Sequence, residues 1–597
     1  MRIPAVICRF AEKPEGIFSF QLPQQHIIRP FERFILFDKQ AFSGYNKSIQ
    51  KNRKSWKEQI RMKLTFLGAN HEVTGSRTLI EWKQGRYALV DCGMEQGQNE
   101  YENAEMPVSA KQIEYVFITH AHIDHTGMLP KLWHDGFRGK VYATRATCNL
   151  CSIMLADSAH IQESDAEYQT KKNKRKGLPA VEPAYTIQDV NELMNNFRPC
   201  GYHEPVRVDD GLVVSFSDCG HLMGSAAVQL WLTDCGETKK IVFSGDVGNL
   251  NQPILNDPQL IREADYVVVE STYGDRLHEN RVDPTPAMVD IIQRTLDRGG
   301  NVIIPSFAVG RTQEMLYIIR DIKMRNLVHG HDGFPVYVDS PLANEATAVF
   351  LQCDTECLDP AAQAVMAQGV NPISFPELET VVTADESKAL NASKIPGVII
   401  SASGMCDAGR VRHHLKHNLW REECTVLFVG SQANGTLGRQ LQEGAKEVKV
   451  LGEEITVRAE IATLQGVSGH ADKNGLLRWL DGFTSKPRIF VNHGEHDQSM
   501  AFVETCKARY GVQVDCPYSG SDFDLLANDW THVAEGVKFR KKTAQSAGQS
   551  AQQQAYNALL NAVQQLESAA KTTRGFANNE LKRLTDAVKR IINDIKK

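Results

Sequence analysis

Tyr115–Thr119 (YVFIT) runs straight into His120-Ala121-His122-Ile123-Asp124-His125 (HAHIDH), followed by Thr126 and Gly127. The first five residues are β-branched or aromatic and read as a buried strand. The next six place three imidazoles and a carboxylate on a loop at that strand's end. His120 and His122, two apart in extended chain, share one side, and Asp124 and His125 turn toward a second ion. One short segment can therefore serve two adjacent metals.

Upstream of this loop, Lys63–Ala69 (KLTFLGA), Thr78–Trp82 and Tyr87–Asp91 read as short strands separated by turn residues. Regular patterning begins at Met62, and residues 1–61 show none. Met62 is accordingly the expected start of translation, since Lys57 and Glu58 can be encoded as a ribosome-binding sequence upstream of it. From Tyr115 to about Val269, runs such as LVVSF, AAVQLWL, KIVFS and YVVV alternate with polar turns, with one helical stretch near Ala146–Gln169. This predicts a layered α/β domain.

The rhythm then changes. NVIIPSFAVGRTQEMLYIIR, PVYVDSPLANEATAVF, GVIISASGMCDAGRVRHHLKHNL and TVLFVGSQANGTLGRQL each set an apolar strand before small polar residues and a helix. Repeated units of this kind predict a doubly wound parallel sheet with ligand-facing loops at the strand C-termini. Patterning like that of the first domain returns near Thr463 and at Arg488–Asn492. The expected division is an extension at 1–61, a first domain at 62–273 and 461–540 interrupted by a second at 274–460, and a tail at 541–597. In the tail, Tyr556 to Ala570 and Leu581 to Ile595 carry apolar residues at 3,4 spacing about Gly575, which predicts a helical hairpin or a short coil pairing a homodimer.

Composition sets outer bounds. The chain has 597 residues, 42% hydrophobic and 23% charged, with no apolar run long enough for a membrane span, and a secreted protein is not expected. Thirteen cysteines form no repeated framework, which suits reduced thiols and a cytoplasmic location. Cys148 and Cys151 make a lone CxxC without the second pair of a structural zinc site. Net charge is −5, but residues 1–61 carry twelve Lys/Arg against five Asp/Glu and residues 551–597 eight against four, so the middle is acidic. Any attraction for phosphate must be local. Lys171–Lys176 (KKNKRK), read as a surface loop, is the best candidate for it.

Further acids and histidines sit at strand ends: Asp91 in YALVDCG, His221 in DCGHLMGSA and Asp246 in FSGDVG. With HAHIDH they resemble the metallo-β-lactamase superfamily, whose HxHxDH signature the loop matches in full. The resemblance implies an αββα sandwich, with Asp91 orienting the histidine loop, His221 as a third histidine ligand, and Asp246 as a carboxylate shared by both ions. After Asp246 the chain passes through Val268–Gly274 (VVESTYG) into the βα units, which resembles the β-CASP subfamily, where a Rossmann-like cassette interrupts the sandwich. Glu270 matches its motif A, His470 in VSGHAD its motif B, and His493 in VNHGE its motif C. The likeness spans about 62–535. A histidine at motif C implies single-stranded RNA as substrate. Gly68–Ser76 and THAHIDHTG resemble the nuclease subunit of cleavage and polyadenylation factor and its bacterial relatives more than RNase J.

The resemblance implies one metal on His120, His122 and His221 and a second on Asp124, His125 and His493, with Asp246 bridging. Zinc suits such imidazole-rich ligation best, with manganese or iron next. Two adjacent ions activate water and stabilise charge on a phosphate. His470, oriented by Glu270, would protonate the departing 3′-oxygen, leaving 5′-phosphate and 3′-hydroxyl ends. Asp124 and Asp91 complete the expected catalytic set. Ser306, Gly310 and Arg311 before one helix, and Ser401, Ser403 and Gly404 before another, would bind phosphates, with plain helix capping as the alternative. His413, His414 and His417 read as a solvated basic face. Three other functions share some of these features: a small-molecule hydrolase of the same fold, a flavin-linked di-iron oxidoreductase, and a non-catalytic scaffold. The first would lack the insertion, the second needs more carboxylate ligands, and the third would have lost ligands.

Overall fold

The structure is a computed structural model that describes residues 62–97, 99–278, 283–352, 355–430, 432–433, 435–539 and 577–595, with isolated positions at 563, 566 and 570. The expectations for 1–61 and most of the first tail run lie outside these residues. Two mixed sheets form a sandwich. The eight-stranded sheet runs, edge to edge, Asp529–His532, Asp522–Asp524, Lys63–Gly68, Arg77–Lys83, Arg86–Val90, Ile113–Phe117, Lys140–Thr144 and Phe197–Cys200. The seven-stranded sheet runs Val514–Asp515, Arg488–Val491, Tyr266–Val269, Glu237–Phe243, Ala226–Asp234, Leu212–Asp218 and Val206–Asp209.

Period-two alternation explains why the central segments of the second sheet, such as Tyr266–Val269, are apolar on both faces. Ile241, Phe243, Tyr266, Val268 and Phe490 face the core shared with the first sheet. Their neighbours Val242, Val267, Val269, Ile489 and Val491 face an outer layer containing Leu476, Leu480, Phe502 and Val503, from the helices Lys473–Leu480 and His496–Tyr510. On the opposite side the helix Arg145–Lys174 packs on Lys140–Thr144 and Phe197–Cys200. The layers are therefore helix, sheet, sheet, helix.

Between Val269 and Arg488 a third sheet forms, parallel at every pairing, in the order Leu378–Thr380, Val336–Val338, Val398–Ser401, Val302–Pro305, Thr425–Phe428 and Glu460–Thr463. The strand at Thr463 thus belongs to the inserted sheet, where Thr463 pairs with Phe428, and not to the outer sandwich as its patterning suggests. A four-residue strand carries too little periodicity to declare its sheet.

The basic run is also corrected. Lys171, Lys172 and Lys174 form the last turn of the helix Arg145–Lys174, which starts at a Thr144 cap accepting from Thr147 N and gives way to Gly177 at φ +68°. Cations in a last turn complement the helix dipole, so the run extends the helix instead of breaking it. Cys148 and Cys151 are buried on this helix, and every described cysteine is free. In the tail, Asn578–Ile595 is helical, with Leu584 and Ile591 exposed. Among the described residues no helix is long and apolar enough to cross a membrane.

Candidate metal centre

The donor side chains converge from loops at one end of the sandwich. Asp91, His221 and His493 hold φ of +58°, +59° and +50°, a region that residues with a side chain rarely enter. The backbone pins them there: Asp91 N–H donates to Phe117 O (2.9 Å) and His493 N–H to Ala69 O (2.8 Å). Glycines let these loops touch. A Cβ on Gly93 would stand 1.6 Å from Asp124 O, and one on Gly248 2.1 Å from His221 N.

Two donor groups result. In the first, His120 Nε2 lies 3.0 Å from His122 Nδ1, which lies 3.1 Å from His221 Nε2, and Asp246 Oδ2 is 3.5 Å from both His120 Nε2 and His221 Nε2. In the second, His125 Nε2 lies 3.1 Å from His493 Nε2, and Asp124 Oδ2 lies 3.5 Å from the same His493 atom. Asp246 Oδ1 reaches this group at 3.3 Å from His125 Nε2. Asp246, Glu270 and His493 also sit close enough to form a third potential set.

Hydrogen bonds on the far side of the rings fix the tautomers. Asp91 Oδ2 accepts a hydrogen bond from His125 Nδ1–H (2.7 Å), and Gly469 O accepts one from His221 Nδ1–H (3.1 Å). Thr119 Oγ1 donates to Asp91 (2.9 Å) and so accepts from His120 Nδ1 (3.1 Å). In all three rings the Nε2 lone pair is left for the centre. Burial, reinforced by neighbouring imidazoles, pushes His120 and His221 down, keeping them neutral. It works against the Asp124 carboxylate too, but the hydrogen bond from His493 and the surrounding histidines hold that group at about 2. Burial also opposes protonation of His125 and His493. Asp246, joined by Asp91 at His125 and by Asp124 at His493, outweighs it and lifts both, an environment that favours any cation at their free nitrogens.

This donor set fits metal ions. Asp246 Oδ1 is buried without a hydrogen-bond partner, although a carboxylate oxygen so placed demands one. Ring nitrogens crowd to 3.0–3.1 Å around a common point, close to the roughly 3.3 Å between nitrogens on a tetrahedral zinc.

His470 stands at the rim, its ring 4.5 Å from that of His221. Its Nδ1 faces Glu270 Oε1 at 3.3 Å, and the same oxygen accepts from Val247 N–H at 2.6 Å, next to Asp246. Burial pulls His470 down, but Glu270 and Asp246 outweigh it and carry the imidazole up to about 10.

The six expected phosphate-binding residues separate. Ser306 and Ser401 are buried and donate to Phe307 O and Asp339 O, while the Gly310 amide is taken by Gln313 Oε1. Of these three only Gly310 caps a helix, and the two serine hydroxyls are spent on backbone carbonyls. Ser403 shares its hydroxyl with Ala408, and Gly404 packs under Phe307. Arg311, by contrast, lies beside the centre: its Nη2 is 3.7 Å from the Cβ position of Gly469, a point 3.6 Å from His221 Nδ1. The histidine-rich helix needs correction, since His413 and His417 are exposed but His414 is fully buried between Asp339 and Asn391. Helical spacing turns one of the three rings inward. Sequence reading missed Thr119, Gln252 and Glu314. Glu314, three residues after Arg311, had the spacing of a helical ion pair as its only signal.

Residues 79–272 match the description "Metallo-beta-lactamase superfamily domain", 312–441 "Beta-Casp domain" and 454–517 "Zn-dependent metallo-hydrolase RNA specificity domain". Ribonuclease TTHA0252 of Thermus thermophilus is 39% identical over 443 residues, covering 74% of this chain and 95% of that protein. The chain belongs to the metallo-β-lactamase superfamily, in its β-CASP branch. An RNase J-like protein of Methanocaldococcus jannaschii is 31% identical over 77% of this chain and 98% of its own length. The transcription termination factor FttA of the same organism is 28% identical over 76% of this chain and 70% of itself. As a β-CASP protein with these domains, the chain is a metal-dependent hydrolase.

Proposed function

We propose that this β-CASP chain is a di-zinc ribonuclease that hydrolyses single-stranded RNA to 5′-phosphate and 3′-hydroxyl ends. The observation that carries the reading is Asp246, a buried carboxylate with one oxygen beside each imidazole group. His120, His122 and His221 would hold one ion, Asp124, His125 and His493 the other, and Asp246 both. Such a pair, when bound, supplies a water nucleophile at neutral pH and neutralises charge on the phosphate. Asp91 and Thr119 hold the ligand tautomers. Glu270 holds His470 by Nδ1, which leaves Nε2 to give its proton to the departing 3′-oxygen.

RNA is favoured over DNA by His493 and by the RNA specificity description over 454–517, which includes both His470 and His493. The relative named ribonuclease points the same way. The complete donor set argues against a scaffold. Free cysteines suit a reducing compartment, and we assign the chain to the cytoplasm on that ground.

The test is incubation of metal-loaded protein with end-labelled single-stranded RNA and DNA of one sequence, the RNA bearing either a 5′-monophosphate or a triphosphate. Cleavage of RNA to 5′-phosphate ends, abolished by chelation, is expected, and the product lengths separate internal cutting from digestion inward from the 5′ end. Equal cleavage of DNA, or no cleavage of either polymer by protein containing two metals, would reject the reading.

A further inference from the structure

We propose that Gln252 and Glu314 are positioning residues that aim the Arg311 guanidinium at an RNA backbone phosphate at or next to the scissile bond. The inference rests on the ribonuclease reading above and deepens it. Gln252 comes from the loop that follows Asp246 in the outer sandwich. Arg311 and Glu314 come from the helix Arg311–Met324 of the inserted sheet. Gln252 Nε2 donates to Glu314 Oε1, and Arg311 Nη1 to Glu314 Oε2, so each carboxylate oxygen has its own donor, one from each side of the joint.

An Arg–Glu pair three residues apart on a helix is ordinarily a solvated surface pair of little consequence. Here Glu314 is 4% exposed and Gln252 6%. A carboxylate that far from water needs donors on both oxygens, and the loop bearing Gln252 is built to supply one. Ile254 N–H donates to Asp359 Oδ2 (3.0 Å), Asp359 N–H to Ile254 O (2.8 Å) and Asn256 Nδ2 to Glu356 O (2.7 Å), clasping the loop to the inserted domain. Nearer Asp246, Asn249 Nδ2 donates to Ser468 O (2.7 Å), beside Gly469 and His470. A single loop thus registers the bridging carboxylate, the His470 segment and Glu314 against one another.

The outcome is the placement of Arg311. With Nη1 held by Glu314, Nη2 stands 3.7 Å from the Cβ position of Gly469, and that same point lies 3.6 Å from His221 Nδ1. Glycine leaves the space between the guanidinium and the metal-ligand shell clear. A planar guanidinium locked along one side presents its remaining N–H groups in a fixed direction, the geometry suited to phosphate oxygens. Beside a centre built to act on a phosphodiester, the anion of matching chemistry is the RNA backbone.

The experiment measures single-turnover cleavage of a short RNA with one cut site, in which each linkage in turn carries a neutral methylphosphonate. For the unaltered protein, neutralising one linkage near the cut should slow cleavage about 10- to 100-fold, the range for a hydrogen bond to a charged group. Arg311→Ala should lose sensitivity at that linkage and, in a companion steady-state assay on unmodified RNA, raise KM more than it lowers kcat. Glu314→Gln, which keeps the arginine but frees it, should blunt sensitivity at the same linkage, and Arg311→Ala with Glu314→Gln should be no worse than Arg311→Ala alone. Gln252→Ala approaches Glu314 from the other domain and serves if Glu314→Gln fails to fold. Metal content and thermal unfolding are recorded for each variant. Full methylphosphonate sensitivity in both Glu314→Gln and Gln252→Ala, or no sensitive linkage in the unaltered protein, overturns this proposal while leaving the ribonuclease intact. Absence of RNA cleavage by the unaltered protein overturns the ribonuclease reading itself.

Discussion

Two buried carboxylate–imidazole pairs in this molecule look alike and do different things. Asp91 and His125 meet at 2.7 Å in the outer sandwich, and Asp339 and His414 meet at 2.7 Å in the inserted domain. What separates them is the ring's other nitrogen. His414 Nδ1 is met by Asn391 Oδ1 at 2.9 Å, and that amide is oriented by its Nδ2 donating to Ser387 O at 3.0 Å. Asp339 also accepts from Arg410 and Ser387, so the network is closed. His125 Nε2 instead faces His493 Nε2 and the orphaned Asp246 Oδ1. A carboxylate–imidazole pair becomes a site only where the second nitrogen is left facing other donors; where it is satisfied, the pair is a strut.

The contrast can be broken most forcefully at the carboxylate that both donor groups share. Asp246→Ala removes a ligand from both groups, so metal content should fall below two per chain and RNA cleavage should drop more than ~10⁴-fold. Elemental analysis beside a cleavage assay checks this, and two retained metals with full activity would refute the ligand assignment.

His470→Ala should keep both metals and bind RNA yet cleave about 10²- to 10⁴-fold more slowly, the usual worth of a positioned acid. An RNA with sulfur in place of the scissile 3′-oxygen should recover much of that loss, because the thiolate leaves without a proton. No recovery, or a missing metal, would move His470 out of the role. A sharper version uses pH. The acid acts protonated, and Glu270 is the largest influence raising His470 to about 10. Glu270→Gln should therefore bring the alkaline fall in kcat/KM to lower pH, whereas an unmoved alkaline limb would sever the two residues.

The pairs themselves give the smallest and most direct comparison. Asp91→Asn should weaken metal binding about 10- to 100-fold, as loss of an outer hydrogen-bond partner does. Asp339→Asn should leave metal binding unchanged and lower folding stability by about 3–5 kcal/mol, the cost of breaking a buried ion pair. Competition against a chelator reads the first and denaturant unfolding the second. If both substitutions moved the same quantity, the distinction drawn here would fail.

What could be read along the chain was whatever its immediate neighbours encode. HAHIDH follows a strand of its own making, and Asp91, His221, Asp246 and His493 each close an apolar run, so the donor set and the layered fold were open to inspection residue by residue. Repeated strand–helix units likewise announced a parallel sheet. Only the tertiary structure decided that Glu460–Thr463 pairs inside that sheet, that His414 points inward to Asp339, and that Thr119 sets the His120 tautomer through Asp91. It also decided that Gln252 shares Glu314 with Arg311, across 62 positions of chain. The physical reason is one of range. A metal ligand announces itself by its own chemistry and by the strand that ends at it, both local. A side chain's partner depends on which distant segment packs alongside, and no periodicity in either segment records that choice.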